Sequence, residues 1–219
     1  MALNINGTTG ISGVDGSVSA PALTGTDSNT GITFPSADTI KFSTGGVERM
    51  SITNSGVSGV AGITMADTWG VTTAFNGTNG DFTANWARAP YTGSTEFGGF
   101  GSAMTESSGI FTFPSNGYYY VESTMSGYAN GGARNYIGLL QKFSTDSGSN
   151  YSEALKSFTS GSGDSKHFSI TISEIYDITD YANMRWKLKH EADGLINIFG
   201  TTTGNDGSTG VRFIRLGDT

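Results

Sequence analysis

The feature that most constrains the fold is a succession of short runs, from about residue 67 onward, in which apolar and polar residues alternate. Period-two alternation is the pattern of strands buried on one face, and clusters of Gly, Asn, Asp and Ser between the runs are typical of turns. No convincing amphipathic helix interrupts the runs, and Asp177–Ala182 offers at most one helical turn. The candidate strands are Phe82–Ala89, Gly98–Met104, Ile110–Phe113, Tyr118–Met125, Asn135–Phe143, Ser152–Phe158, Lys166–Tyr176, Met184–His190, Leu195–Gly200 and Gly210–Leu216.

This strand count predicts an all-β sandwich, and the roughly even spacing favours a jelly roll or a related sandwich. A turn is expected at Ala192-Asp193-Gly194, between two of the strands. Within the strands, alternation predicts which side chains form the core or contact another subunit. They are Phe111, Phe113, Tyr119, Val121, Leu139, Phe168, Ile170, Ile172, Trp186, Leu188 and Phe213.

Residues 1–65 contain few large apolar side chains, and Gly, Ser, Thr, Asn and Asp surround the isolated apolar residues. Residues 38–43 and 47–52 each alternate and flank Thr44-Gly45-Gly46, which predicts a β-hairpin, with a flexible linker as the alternative. So few large side chains seldom offset the entropy of ordering a chain, so this segment should be stabilised by other chains. We therefore divide the chain into an N-terminal attachment or shaft segment (1–65) and a head domain (66–219).

One hairpin resembles a known family. Gly109–Val121 reads GIFTFPSNGYYYV, which is similar to the G-x-F-x-x-P-x-x-G-x-Y signature of complement globular-head and tumour-necrosis-factor-like jelly rolls. The segments 175–183 and 211–216 resemble later strands of the same family. The resemblance covers roughly residues 85–217 and implies a compact homotrimer whose threefold axis runs along one sheet. The longer Gly/Ser-rich loops near 146–150 and 160–165 depart from the family pattern.

The N-terminal stretches 25–40 and 45–52 resemble attachment and shaft segments of phage tail fibres and other virion proteins. Together with the head, they predict a structural protein of a tailed-phage virion, a trimeric fibre or appendage that contacts the host surface. Its expected partners are two further copies, other virion proteins at the N-terminal segment, and a host glycan or protein. A capsid decoration or head-fibre protein is the first alternative, and a carbohydrate-active enzyme is the second.

Charge and composition narrow the partners further. The net charge of −7 and a pI near 4.7 give no general attraction for nucleic acid or anionic membranes. The chain has no cysteine, so disulfides and thiolate metal sites are excluded. No secretory signal or membrane-spanning run is expected from the sequence, which fits release of particles by lysis.

Catalytic patterns are weak, so we expect no enzyme activity, no cofactor and no metal site. His190 alternates with lysine and arginine around Trp186, so a half-buried strand explains it, and His167 is the only other histidine. No metal-binding HExxH motif, nucleophile elbow or calcium loop occurs. Carboxylate pairs of the glycosidase kind remain conceivable at Glu153 with Asp164 and at Glu174 with Glu191.

Tyrosines next to Gly, Ser or Asn in or near expected loops are the remaining functional signal. Tyr91, Tyr128, Tyr136 and Tyr151 have this setting. Tyrosine in such surroundings makes rigid, amphipathic contacts with glycans or proteins, so they are the candidate surface-binding residues. The alternative is that each tyrosine packs on the edge of a sheet or at a subunit contact.

Overall fold

The computed structural model describes residues 4–6, 10–12, 15–59, 63–89, 98–200 and 209–218. The chain divides into two compact units, residues 1–61 and 62–219. The sequence-based division lay between residues 65 and 66, whereas Met65 begins the first strand of the second unit and its side chain is buried there. We call the two units the N-terminal unit and the head.

The N-terminal unit consists of short antiparallel strands. β1 (Asn4–Asn6) pairs with β2 (Gly10–Ser12), and β3 (Gly16–Ser17) pairs with β4 (Ala20–Pro21). A five-stranded sheet follows in chain order, made of β5 (Leu23–Thr24), β6 (Gly31–Thr33), β7 (Ile40–Thr44), β8 (Val47–Thr53) and β9 (Gly56–Ser58). The predicted hairpin is confirmed as β7–β8, since Phe42 pairs with Met50 and Ile40 with Ile52.

The head contains the remaining strands. They are β10 (Met65–Val71), β11 (Phe75–Asp81), β12 (Trp86–Arg88), β13 (Thr105–Ser107), β14 (Ile110–Thr112), β15 (Gly117–Ala129), β16 (Arg134–Ser144), β17 (Ser152–Gly161), β18 (His167–Ile178), β19 (Arg185–Ile198) and β20 (Gly210–Gly217). They form one eleven-stranded hydrogen-bonded set that folds into two layers. The described residues of the head include no helix, which agrees with the predicted all-β class.

The first layer has the strand order β12-β10-β20-β15-β18, and in the second β19 lies between β16–β17 on one side and β11 and β14 on the other. The layers join at one end, where Gly127–Ala129 of β15 pairs with Ile196–Ile198 of β19. This is the sandwich that the alternation predicted, with the core between the layers.

Alternation along β15 shows how the core is built. Tyr119, Val121, Ser123 and Met125 are fully buried, while Tyr120, Glu122 and Thr124 between them face outward. Every side chain that the sequence assigned to the core is buried in the head, from Phe111 to Phe213. At its centre the Phe111 ring contacts Trp186 and Phe213 with centroid distances of 5.6 and 5.2 Å.

The strand prediction was wrong around β11 and β12. β11 was missed because its sequence, FNGTNGD, contains one large apolar residue, and pairing with β19 supplies its order instead. Only Trp86–Arg88 of the expected strand Phe82–Ala89 is a strand. Within the expected strand Gly98–Met104, Phe100 makes only an isolated bridge with Ala66.

The turn expected at Ala192-Asp193-Gly194 does not end a strand, because β19 continues through it. The extra residues form an irregularity opposite β11, where the register shifts between Gly77 and Asn79. The carboxylate of Asp193 holds this bulge to β16 by accepting hydrogen bonds from the backbone and side-chain nitrogens of Asn135 at 3.0 and 2.7 Å. The helical turn expected at 177–182 lies later, where Met184 N donates to Asp180 O at 2.9 Å.

Candidate binding surfaces

The hairpin that carried the family resemblance fixes which side chains face outward on the first layer. Gly109 has a φ of 79°, and a Cβ there would overlap the carbonyl oxygen of Phe82. This close approach places Phe111 in the core. Tyr119 then anchors the second strand, because its hydroxyl donates to Ser115 O at 3.0 Å. Its neighbours on β15 consequently point away from the core.

An apolar patch occupies one end of the outward face of the first layer. Tyr120 pairs across β15 with Ile175 of β18 on one side and Ile214 of β20 on the other. Ile175 is 55% exposed, and Tyr118 and Leu216 nearby are also exposed. We call these residues (Tyr118, Tyr120, Ile175, Ile214 and Leu216) the head patch. Contiguous exposed apolar side chains of this kind mark interaction surfaces.

Polar side chains cover the middle of the same face. The Glu122 carboxylate pairs with Arg212 at 2.6 Å, and Thr124 bonds to Thr171 across the strands at 3.0 Å. Beyond them lies an aromatic cluster in which the ring of Tyr128 stacks on the exposed His167 at a centroid distance of 6.0 Å. Phe199 packs against both rings, with its centroid 5.3 Å from that of His167.

The structure places the candidate tyrosines on separate surfaces. Tyr91 lies outside the described residues, and Tyr128 belongs to the aromatic cluster just described. Tyr136 is exposed on the outward side of β16 in the second layer, edge-on to Phe158 at 6.0 Å. Phe158 lies against Gly138, where a Cβ would come within 2.6 Å of the Phe158 ring. The described tyrosines therefore do not form one binding site.

Tyr151 is a packing residue of the loop between β16 and β17. The Nζ of Lys187 lies 3.9 Å from the centroid of its ring, in cation–π geometry. Its hydroxyl is buried and has no hydrogen-bond partner among the described residues. Burial also raises the pKa of Tyr151. The same loop is ordered by Asp146, whose pKa is lowered to about 2 by hydrogen bonds from the backbone and side chain of Asn150.

The two histidines have opposite environments. His190 is 4% exposed on the inward side of β19, where its ring packs against Phe75 and Phe82 at 5.5 and 5.2 Å. Burial lowers its pKa to about 4, so it is neutral at pH 7. Neither ring nitrogen has a partner in the described part of the chain. An uncharged imidazole among phenylalanines is a core side chain, whereas His167 is exposed on β18.

The carboxylates considered as catalytic pairs are each engaged by another group. Glu153 pairs with Lys156 at 3.3 Å, and Glu191 with Lys189 at 3.4 Å. Asp164 accepts a hydrogen bond from the backbone nitrogen of Gly131 at 2.7 Å, and Glu174 accepts one from the next residue in the chain. Glu174 and Glu191 lie in different layers of the sandwich. Each of the four carboxylates therefore contributes to local hydrogen bonding or ion pairing in the structure.

Two buried polar side chains inside the head, Asp67 and Gln141, have several protein partners. Asp67 is 1% exposed and accepts hydrogen bonds from Trp69 Nε1, Arg88 Nε and the backbone nitrogen of Met104. In the centre of the sandwich, Tyr176 donates to Gln141 Oε1 at 2.7 Å. Such fully bonded groups specify the packing of a core.

The N-terminal unit presents a second exposed apolar surface. Cross-strand pairing puts Phe42 between Ile32 and Met50, and Ile52 between Ile40 and Val57. Because side chains alternate, all of them share one face of the sheet, together with Leu23 and Val47 at its ends. We call these residues (Leu23, Ile32, Ile40, Phe42, Val47, Met50, Ile52 and Val57) the N-terminal apolar face. Sequence reasoning found the alternation but not that every apolar residue of the sheet lies on this side.

In the ranges that the structure covers, no group of three or more His, Asp or Glu side chains could hold a metal ion. No helix among the described residues is long and apolar enough to cross a membrane.

Comparison with known proteins supports the fold of the head. No protein-family model matches the chain, and no curated protein matches its sequence. The solved structure of Eiger TNF from S. frugiperda superposes with a TM-score of 0.55 at 13% identity, covering 70% of this chain and 93% of that one. Murine APRIL at pH 5.0 gives a TM-score of 0.51 at 9% identity, covering 69% and 98%. The head is a jelly roll of the tumour-necrosis-factor-like kind.

Proposed function

We propose that this chain is a structural protein of a tailed-phage virion, a homotrimeric fibre or appendage whose jelly-roll head contacts the host surface. The head patch is the observation that carries the homotrimer. Ile175 is 55% exposed in the single chain, and its cross-strand neighbour is Tyr120 of the same patch. Covering the head patch with a neighbouring copy removes this apolar area from water, which is the main driving force of subunit association.

The virion assignment rests on the pairing of this head with the N-terminal unit. That unit is built of short strands with Gly/Ser/Thr/Asn-rich connections, and its sequence resembles fibre attachment and shaft segments. A trimer presents three copies of each weak head contact together. The resulting avidity strengthens attachment to a surface while each single contact stays reversible. The role requires no catalytic step, no cofactor and no nucleic acid.

The first experiment tests the homotrimer. We expect the purified full chain to have the mass of a trimer at micromolar concentration in light scattering. Ile175→Asp places a charge on the head patch and should raise the concentration for half-dissociation at least about tenfold, equal to about 1.4 kcal/mol. Phe158→Asp is the matched control, because Phe158 is 47% exposed but lies on the other layer. A monomeric wild-type protein, or equal effects of the two variants, would contradict the proposal.

The second experiment tests the virion. Mass spectrometry of purified particles should detect the chain, and immunogold labelling with antibody to the head should place it on the tail. Labelling of capsids would instead favour the decoration or head-fibre alternative. Absence of the chain from purified particles would overturn the virion assignment. Turnover of host polysaccharide by the full chain, lost in Glu153→Ala or Glu191→Ala, would favour the enzyme alternative.

A further inference from the structure

The N-terminal unit has an inverted pattern of burial. Its fully buried side chains are small hydroxyls, Thr33, Ser43 and Ser51 at 0, 3 and 6% exposure, and they lie on the face opposite the N-terminal apolar face. The described hydrophobic core begins only at Met65, in the head. Hydroxyl burial contributes little hydrophobic free energy, so the part of this unit that should be driven out of water is the part left exposed.

The most exposed apolar side chains lie at the edges and ends of the sheet, and those at its centre, Ile32, Ile40, Phe42 and Met50, are half-buried. Val57 at one edge is 57% exposed, Val47 beside the β7–β8 turn is 52% exposed and Leu23 at the other edge is 45% exposed. Phe34, Ile40 and Ile52 line a shallow cleft of about 390 Å³ at one end of this face. A single β-sheet whose apolar face is exposed to water is not stable by itself.

The charges of the sheet point to what covers this face. Lys41 and Glu48 pair with each other at 2.6 Å on the opposite face. Arg49, the remaining charged strand residue, lies at the irregularity between β7 and β8 and donates to Thr44 Oγ1 near the turn. The centre of the apolar face thus carries no charge. Copies of such a surface meet around a symmetry axis without like-charge repulsion at its centre, because the nearest charges, Asp38 beside the cleft and Arg49 near the turn, lie at its ends.

We propose that the N-terminal apolar face is a second self-association surface, which packs against the same face of the other copies. The inference rests on the proposed homotrimer, which brings the N-terminal units together at high effective concentration. The interface adds a shared core that the single chain lacks. It would make assembly of the N-terminal unit conditional on assembly of the head.

Single-cysteine variants test this surface, because the natural chain has no cysteine. Val57 and Ser58 are adjacent, both exposed and on opposite faces of β9, so Val57→Cys and Ser58→Cys form a matched pair. Each chain then carries one thiol, so any covalent pair formed by a short bis-maleimide joins two chains. We expect Val57→Cys in the full chain to give mostly cross-linked pairs, severalfold more than Ser58→Cys.

Val47→Cys and Glu48→Cys repeat the comparison beside the β7–β8 turn, where the two residues again lie on opposite faces. A trimeric mass with no cross-linking preference for Val47 and Val57 overturns the inference and leaves the proposed homotrimer intact. Protection of the Val57→Cys thiol from labelling without cross-linking also overturns it, because another part of the same chain then covers the face. A monomeric wild-type chain instead contradicts the proposed homotrimer itself.

Discussion

The head and the N-terminal unit are both antiparallel β-structures with alternating strands, yet they bury opposite kinds of side chain. In the head, Trp186, Phe111 and Phe213 are fully buried between two layers. In the N-terminal unit the apolar side chains line a face that no second layer covers among the described residues, and the buried positions hold Thr33, Ser43 and Ser51. Alternation alone makes a strand amphipathic; a second layer is what turns an amphipathic sheet into a core.

The kind of side chain that each unit buries indicates where its stability originates. The head contains its own second layer and should fold within one chain. The N-terminal unit should gain its stability from association, so its behaviour depends on protein concentration and on the head. Substitutions placed at matched positions in the two units measure this contrast.

The largest expected effect is loss of a core aromatic ring in the head. Phe111→Ala should lower the free energy of unfolding by about 3–5 kcal/mol, because Phe111 is fully buried among other rings. All 3 tryptophans lie in the head, so urea unfolding followed by tryptophan fluorescence reports on this unit. Phe42→Ala, the matched change in the N-terminal unit, should leave that transition unchanged. A large shift of the head's urea transition in Phe42→Ala would contradict the expected difference between the two units.

Protonation of His190 should give the next largest effect. Its pKa is about 4 in the folded head, lowered by burial, and about 6.5 when exposed in an unfolded chain. Between these values the unfolded chain binds a proton that the folded head does not, so stability is complete above about pH 6.5 and falls as the pH decreases towards 4. The loss amounts to at most about 3–4 kcal/mol, because each pKa unit corresponds to about 1.36 kcal/mol.

Urea unfolding measured at several pH values should show this dependence in the wild type and in His167→Leu, since His167 is exposed. His190→Leu should lack it, because leucine carries no titrating group. An unchanged pH dependence in His190→Leu would show that other groups cause the loss.

Replacing a glycine that has a positive φ should destabilise the head more than the N-terminal unit. Gly109→Ala should destabilise the head by at least about 2 kcal/mol, because φ is 79° and the new Cβ meets the Phe82 carbonyl. Gly45→Ala in the β7–β8 turn also has positive φ, 59°, but its Cβ would have open space, so about 1 kcal/mol is expected. Urea unfolding monitors the first and circular dichroism the second. Equal losses of stability in Gly109→Ala and Gly45→Ala would mean that the close packing around Gly109 adds nothing to the destabilisation.

The smallest effect concerns the surface ion pair of the N-terminal sheet. Lys41 and Glu48 are partly exposed, so Lys41→Met should change stability by less than about 1 kcal/mol. The effect should shrink further at high salt, as circular dichroism melting in two salt concentrations would show. A larger loss would place this pair, and the opposite face of the sheet, in a contact between copies.

The sequence predicted the elements whose local pattern is strong. The β7–β8 hairpin, the hairpin of Gly109–Val121 and part of the buried side of β15 and β18 were readable from alternation and turn residues. The buried residues predicted on these two strands were Tyr119, Val121, Phe168, Ile170 and Ile172. β11 was not readable, because a strand rich in Asn and Gly gains its order from pairing with β19 and not from its own side chains. The Ala192-Asp193-Gly194 segment carries turn chemistry, yet its neighbours continue pairing and convert it into a bulge.

The candidate surfaces were less predictable than the fold. Glycine, serine and asparagine next to tyrosine identified Tyr128 and Tyr136 as surface residues, but the same signal selected Tyr151, whose hydroxyl is buried. The head patch was missed, because Ile175 is an isolated apolar residue out of phase with the buried side of its strand, and only strand pairing places it beside Tyr120. A single sequence does not state which side of an amphipathic strand another layer covers.

Three properties could be read from the sequence alone: the fold class of the head, many residues of its core, and the scarcity of large apolar side chains in the N-terminal unit. Period-two alternation and turn chemistry are local properties, so the residues themselves carry them. Only the tertiary structure decided which strands pair, which faces stay exposed and that the apolar side of the N-terminal sheet is the uncovered one. These follow from contacts between residues far apart in the chain, and no short stretch of sequence contains that information.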